Sequence, residues 1–166
     1  MKGRIVTLIL ILLLSGCQSR YLFSSGTSLL DEAEKTARDG SADDAIELYK
    51  RHLERRLAVK DRPDWENPYL YLLTIGDLQL KQGKVDAALA SYEQAEKQEV
   101  RKELISDRFR GVALQFESEN RLEDACAILK KYRNRDPLIF DGMLDRISKE
   151  IVVREDEGNH TQGTTR

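Results

Sequence analysis

Few residues in this chain could do chemistry. Its 166 residues include two cysteines and two histidines. A thiol nucleophile needs a base and a group to orient that base. Neither cysteine has a histidine and a third member at a workable spacing. His52-Leu53-Glu54-Arg55-Arg56 lacks the second histidine of the HExxH zinc signature. Gly83-Lys84 lacks the earlier glycine and the following Ser or Thr of a phosphate-binding loop. No Gly-x-Ser-x-Gly occurs. No metal, cofactor or disulfide framework is therefore expected. Carboxylates are abundant, but they alternate with bases at helical spacing. Glu93 and Lys97 are an example, and such pairs read as solvated surface pairs. Cys126 reads as a small buried hydrophobe and His52 as a packing residue. The chain is expected not to be an enzyme.

Composition narrows the remaining classes. The length suits about one domain. Charged residues make up 34% and the net charge is −2, whereas a nucleic-acid binder presents a net basic surface. Three prolines and ten glycines are too few for a disordered chain or a turn-rich β-sandwich. The averages hide a segregation. Lys2 and Arg4 precede Ile5 to Leu14, where nine of ten residues are apolar. A membrane-spanning helix needs roughly 20 apolar residues, so this run is too short to be one.

The run ends in Leu14-Ser15-Gly16-Cys17. This resembles the lipobox of bacterial lipoproteins: a Leu, two small residues, then Cys. The resemblance implies cleavage before Cys17 and a diacylglycerol on its thiol, with residues 1–16 as signal peptide. A disulfide from Cys17 to Cys126 does not fit a lipidated sulfur. The alternative is an ordinary secretory peptide with an incidental cysteine. Gln18 stands where an Asp marks inner-membrane retention in Gram-negative lipoproteins. Its presence is similar to default sorting to the outer membrane, facing the periplasm. An inner membrane or a Gram-positive cell membrane are the alternatives. Residues 17–28 are polar, apart from Tyr21, Leu22 and Phe23, and read as a tether. Removing Lys2 and Arg4 from 27 basic groups leaves 25 against 29 acidic ones, a net charge of −4.

The rest of the chain repeats itself. Gly40, Gly83 and Asn120 each stand five residues before an alanine: Ala45, Ala88 and Ala125. Tyr49, Tyr92 and Leu129 follow those alanines by four. Gly and Asn tolerate a left-handed turn at the end of a helix. The alanine admits a close neighbour, and the large residue lies on the same helical face. Gly76 and Ala113 lie twelve residues before Ala88 and Ala125. Around them, Leu72, Ile75 and Leu78, and Phe109, Val112 and Phe116, are spaced as on a helix. The first unit is weak at this point, with Glu32 where an apolar residue is usual. Between the first two units, residues 60–68 read as a loop, with Asn67 a helix N-cap and Pro68 the first helical position.

This pattern resembles the tetratricopeptide repeat, over residues 29–137. The marker alanines are 43 and 37 residues apart, where the family repeats every 34. The resemblance implies an all-α fold, a solenoid of about three helix pairs. Phe140, Met143, Leu144, Ile147 and Ile151 share one helical face, so residues 138–154 read as a helix capping the last pair. A partner-binding helix is the alternative. Residues 155–166 carry no apolar side chain and read as a disordered tail.

The family's groove positions fall on Leu30, Glu34 and Arg38, on Leu73, Asp77 and Lys81, and on Arg110, Leu114 and Ser118. In the family's carboxylate-clamp subtype, Lys and Asn grip a chain terminus. Leu30 and Leu73 replace the Lys, and Glu34 and Asp77 replace the Asn. An extended or helical partner with apolar anchors fits better. Together these resemblances imply a lipid-anchored, periplasm-facing adaptor that holds a protein partner of the cell envelope at the membrane, with no nucleic acid involved. A self-associating structural lipoprotein is the alternative. Arg55, Arg56, Lys60 and Arg62 form a basic patch beside Trp65, open to lipid headgroups, an acidic partner or plain solvent.

Overall fold

The structure is a computed structural model that describes residues 26–162, with side chains from 29 to 157. The basic start, the apolar run, Cys17 and most of the tether lie outside these residues. Residues 26–28, read as tether, are the first turn of a helix.

The described residues form seven α-helices and no strand. They are α1 (Gly26–Asp39), α2 (Ala42–Leu57), α3 (Tyr71–Lys81), α4 (Val85–Lys97), α5 (Lys102–Ser118), α6 (Leu122–Tyr132) and α7 (Pro137–Gln162). Short turns pair α1 with α2, α3 with α4, and α5 with α6 as antiparallel hairpins. Each hairpin packs on the next in chain order, and α7 lies on α6.

Local chemistry explains where these helices stop. In two of the three hairpin turns the chain enters the left-handed region, at Gly83 (φ 73°) and Asn120 (φ 61°). There the Lys84 and Arg121 amides donate back to the Gln79 and Phe116 carbonyls, at 3.0 and 2.8 Å. These bonds satisfy carbonyls that a helix end leaves open. The first turn is built differently. Gly40 does not take positive φ, and its amide donates to the Thr36 carbonyl at 2.9 Å. Ser41 then caps α2 by accepting from the Asp44 amide. A third left-handed turn sits at Glu99 (φ 59°), after α4, a position the sequence does not advertise. Asn67 caps the Pro68–Leu70 3-10 turn through the Tyr69 amide, as its sequence predicts.

Pro137 starts α7. The Asp136 carboxylate accepts from the Ile139 amide at 3.3 Å, and Pro137 takes the first helical position, where no amide partner is needed. Phe140 and Ile147 are fully buried, and Met143, Leu144 and Ile151 pack on the core beside them. Of the expected tail, residues 155–162 are helical, and residues 163–166 lie outside the described residues. α7 runs beyond Arg154 to Gln162. Once its first turns are docked, each further residue adds a bond to a helix already nucleated. Arg154–Glu150 and Lys149–Asp145 pairs support the surface one turn apart.

The repeated small and large residues make the core. Ala45, Ala88, Ala125, Tyr49, Tyr92, Leu129, Gly76 and Ala113 are all buried. Ala33, twelve residues before Ala45, completes the pattern in the first unit and has no exposed surface. Glu32, thirteen residues before Ala45, aligns with the buried Ile75 and Val112, so the first unit lacks the usual apolar residue there, as its sequence indicates. Glu32 faces solvent.

The tightest contact in the core is Tyr92 against Gly76. A Cβ built on Gly76 would stand 2.3 Å from Tyr92 Cε1 and 2.8 Å from Cδ1. Tyr92 has no exposed surface, so its ring cannot swing away. Its edge meets Phe109 at 6.1 Å, and Phe109 stacks on Tyr132 with centroids 3.6 Å apart. These rings join the second hairpin to the third. Gly76→Ala should destabilise the fold by about 2 kcal/mol through overpacking. Gly111, on α5, would place a Cβ in open space. Gly111→Ala should be neutral or stabilising by up to about 1 kcal/mol, as helix propensity dictates. Urea unfolding of both variants checks the contrast, and equal destabilisation would contradict it.

Candidate interaction surface

The first helices of the hairpins, α1, α3 and α5, carry the positions that the sequence assigns to a groove. The structure distributes them unevenly. Glu34, Arg38, Lys81, Leu114 and Ser118 are exposed, and Leu114 is an exposed apolar residue (45%). Leu30 and Arg110 are half-buried, and Arg110 pairs with Asp107 on its own helix at 2.8 Å. Leu73 is not on the surface. It is 2% exposed and belongs to the core. The reason is position in the stack. α3 is the middle of the three first helices and packs against α2, α4 and α5. The equivalent residues on α1 and α5 have cover on fewer sides.

Asp77 is half-buried and already engaged. It accepts from the Tyr92 hydroxyl at 2.8 Å through Oδ1 and from Arg108 Nη2 at 3.1 Å through Oδ2. Burial, helped by this carboxylate, pushes the Tyr92 phenol well above its ordinary value. Asp77 therefore ties α3 to α4 and α5 rather than standing ready for a ligand. Arg108, the other half of this clamp, has no marker in the repeat pattern.

The first hairpin presents a different surface. Burial raises the Tyr49 phenol, and the nearby Glu34 carboxylate adds to it. Burial also raises Tyr71, with Glu66 and Glu34 contributing. Tyr49 and Tyr71 stack at 6.2 Å, and His52 meets the Tyr71 ring edge-on at 4.6 Å. His52 is thus a buried packing residue, as expected. Cys126 is also buried. The opposite side of the stack has two open clefts, about 590 Å³ between α2, α3 and α4 and about 620 Å³ between α4 and α6. Neither gathers a set of catalytic groups. Among the described residues, no three His, Cys, Asp or Glu are placed to hold a metal ion.

The basic patch is partly spent on structure. Arg56 forms a two-pronged pair with Glu66, one contact being Nε to Oε1 at 2.7 Å. Arg62 donates to the Arg56 carbonyl at 3.1 Å. Trp65 between them is 85% exposed.

Glu93 does not rely on Lys97. It accepts from the Tyr132 hydroxyl at 2.6 Å and pairs with Lys131 at 3.2 Å, joining α4 to α6. The Tyr132 hydrogen bond, with Lys131 adding, holds Glu93 below the ordinary glutamate value of 4.5. Its contribution to stability is therefore complete above pH 4.5 and is lost as pH falls through the lower folded value. Glu93→Gln should flatten the acid side of the melting-temperature curve below that pH. A calorimetric pH series checks this, and an unchanged acid side would contradict it. No protein-family model matches this chain, and no curated protein is significantly similar to it.

Proposed function

We propose that this chain is a membrane-anchored protein-interaction scaffold, a lipoprotein of the tetratricopeptide type. Its folded part would hold a partner protein of the cell envelope on the face formed by α1, α3 and α5. The anchor would be a lipid on Cys17, at the outer membrane and facing the periplasm. Cell-envelope assembly or secretion is the setting such a tether suits. Tethering raises the partner's effective concentration at the membrane without any new contact.

One observation carries this reading. A lipobox-like N-terminus precedes a stack of helical hairpins built on one recurring packing unit. In each hairpin, two small residues twelve positions apart and a large residue four positions after the second are all buried. Ala33, Ala45 and Tyr49 make the first set, Gly76, Ala88 and Tyr92 the second, and Ala113, Ala125 and Leu129 the third. This regularity supports a solenoid whose units contact only their neighbours, with α7 as its cap. No helix among the described residues is long and apolar enough to cross a membrane, so attachment in this reading depends on Cys17. Catalysis has no part in it.

Cys17→Ser should abolish labelling by radioactive palmitate and release the protein from the membrane fraction. Unchanged labelling and fractionation would end the lipoprotein reading. For the binding face, Leu114→Glu is the better probe, because Leu73 is core and its substitution would unfold the chain. Cross-linking in intact cells, followed by mass spectrometry, should lose a partner in this variant while the melting temperature stays unchanged. Retention of every partner would move the interface off this face.

A further inference from the structure

Antiparallel hairpins give the stack two distinct ends. The hairpin turns occupy one. The connections between hairpins, with the start of α1, occupy the other. Contacts across the hairpins define each end. At the connection end, Asn67 donates to the Gln98 carbonyl at 2.8 Å, and Arg135 grips Glu96 with two bonds of 2.9 Å. At the turn end, Lys84 pairs with Asp43 at 2.9 Å, and Arg154 reaches Asn120.

The two ends differ in chemistry. Eight large hydrophobic residues are exposed among the described residues. Five of them, Val59, Trp65, Leu70, Leu138 and Ile139, belong to the connection end. Trp65 and Leu138 are the most exposed, at 85% and 87%. Charge follows the same division. The connections with one flanking helical turn on each side (54–74, 94–105 and 129–140) hold eleven basic and eight acidic residues. The hairpin turns taken the same way (36–45, 78–88 and 115–125) hold four basic and eight acidic residues. One end is net +3 and the other net −4.

The loop that carries Trp65 is also braced. The Arg56–Glu66 pair, the Arg62 bond to the Arg56 carbonyl and a Glu66 amide bond to the Pro63 carbonyl at 3.0 Å hold its backbone. The braced loop leaves its indole in water.

We propose that the connection end is a membrane-facing surface, which lies on anionic phospholipid headgroups with Trp65 seated at the interface. Indole rings favour the headgroup level, where one edge is apolar and the other wet. Lys and Arg beside them are drawn to the negative surface potential. Asp61 and Asp64 flank Trp65 and oppose this attraction locally, and Lys131, Arg133 and Arg135 are paired with Glu93, Asp141 and Glu96, so the attraction falls to Lys60, Arg101, Lys102 and Lys130. Geometry favours a bilayer over a protein partner. Residues 1–25 join the fold at Gly26, the end of α1 beside the C-terminal end of α2, and hence at this same end. In that respect the inference rests on the anchored reading: a lipid on Cys17, nine residues before Gly26, keeps this end within about 30 Å of the bilayer.

Trp65 is the only tryptophan in the chain and so reports on its own surroundings. The test uses the full lipidated protein in vesicles of phosphatidylethanolamine and phosphatidylglycerol, with and without bromine on the acyl chains near the headgroups. The expected result is co-sedimentation, a blue-shifted Trp65 emission and severalfold quenching by bromolipid. Lys60→Glu combined with Arg101→Glu should weaken that quenching, as should high salt. Both side chains are exposed. Co-sedimentation with an indole still open to acrylamide would overturn the proposal and leave the anchor standing. Failure to co-sediment with a water-exposed indole would overturn both. A blue shift without bromolipid quenching would mean that protein covers Trp65, and would also overturn it.

Discussion

The stack depends on one close approach, the Tyr92 ring lying where Gly76 has no side chain. Filling that space would strain the closure of the second hairpin and shift the Tyr92 ring. That ring reaches the Asp77 carboxylate with its hydroxyl and sets itself against Phe109. Phe109 in turn lies flat on Tyr132, whose hydroxyl reaches back to Glu93. A run of rings thus crosses from α4 through α5 to α6, with a carboxylate satisfying the phenol at each end. Apolar burial supplies the driving force, and the hydroxyl bonds fix one arrangement of it, because an unpaired buried hydroxyl is costly.

Polar ties then set the ends of the stack. Lys84 with Asp43 and Arg135 with Glu96 link one hairpin to the next at opposite ends, as Arg146 with Glu117 links α7 to α5. Such exposed pairs add little stability each. Their effect is on register: they hold successive hairpins level, so that the connections gather at one end and the turns at the other. The segregation of exposed apolar side chains and of charge follows from that arrangement. A stack with one face for a partner and one end for a bilayer would hold that partner in a fixed orientation to the membrane, which a flexible tether alone cannot do.

The repeat offsets were legible because they are local. Gly or Asn before a helix, Ala at the close approach and a large residue four positions on lie within one turn-and-helix segment, and the physics that selects them acts there. Asn67 before Pro68 is equally local. The weakness of the first unit was legible for the same reason, because Glu32 stands at the offset that Ile75 and Val112 fill in the other two. Glu99 gave no signal, since a glutamate in a left-handed turn is held there by the helices on either side.

By itself the sequence determined the helical hairpins, the residues at their close contacts, the apolar face of α7 and the short apolar run before Cys17. All of these depend on spacing along the chain. Only the tertiary structure decided which surface positions remain available. Leu73 and Leu114 occupy groove positions of the same pattern. Leu73 is buried because neighbours pack on the middle helix from both sides, whereas its equivalents Leu30 and Arg110 are half-buried. Asp77 has the residue type of a ligand-binding group, yet Tyr92 and Arg108 occupy it. Trp65 has the residue type of a core residue, yet it stands in solvent on a braced loop. Exposure is a property of the assembled neighbours, and no spacing in the chain encodes it.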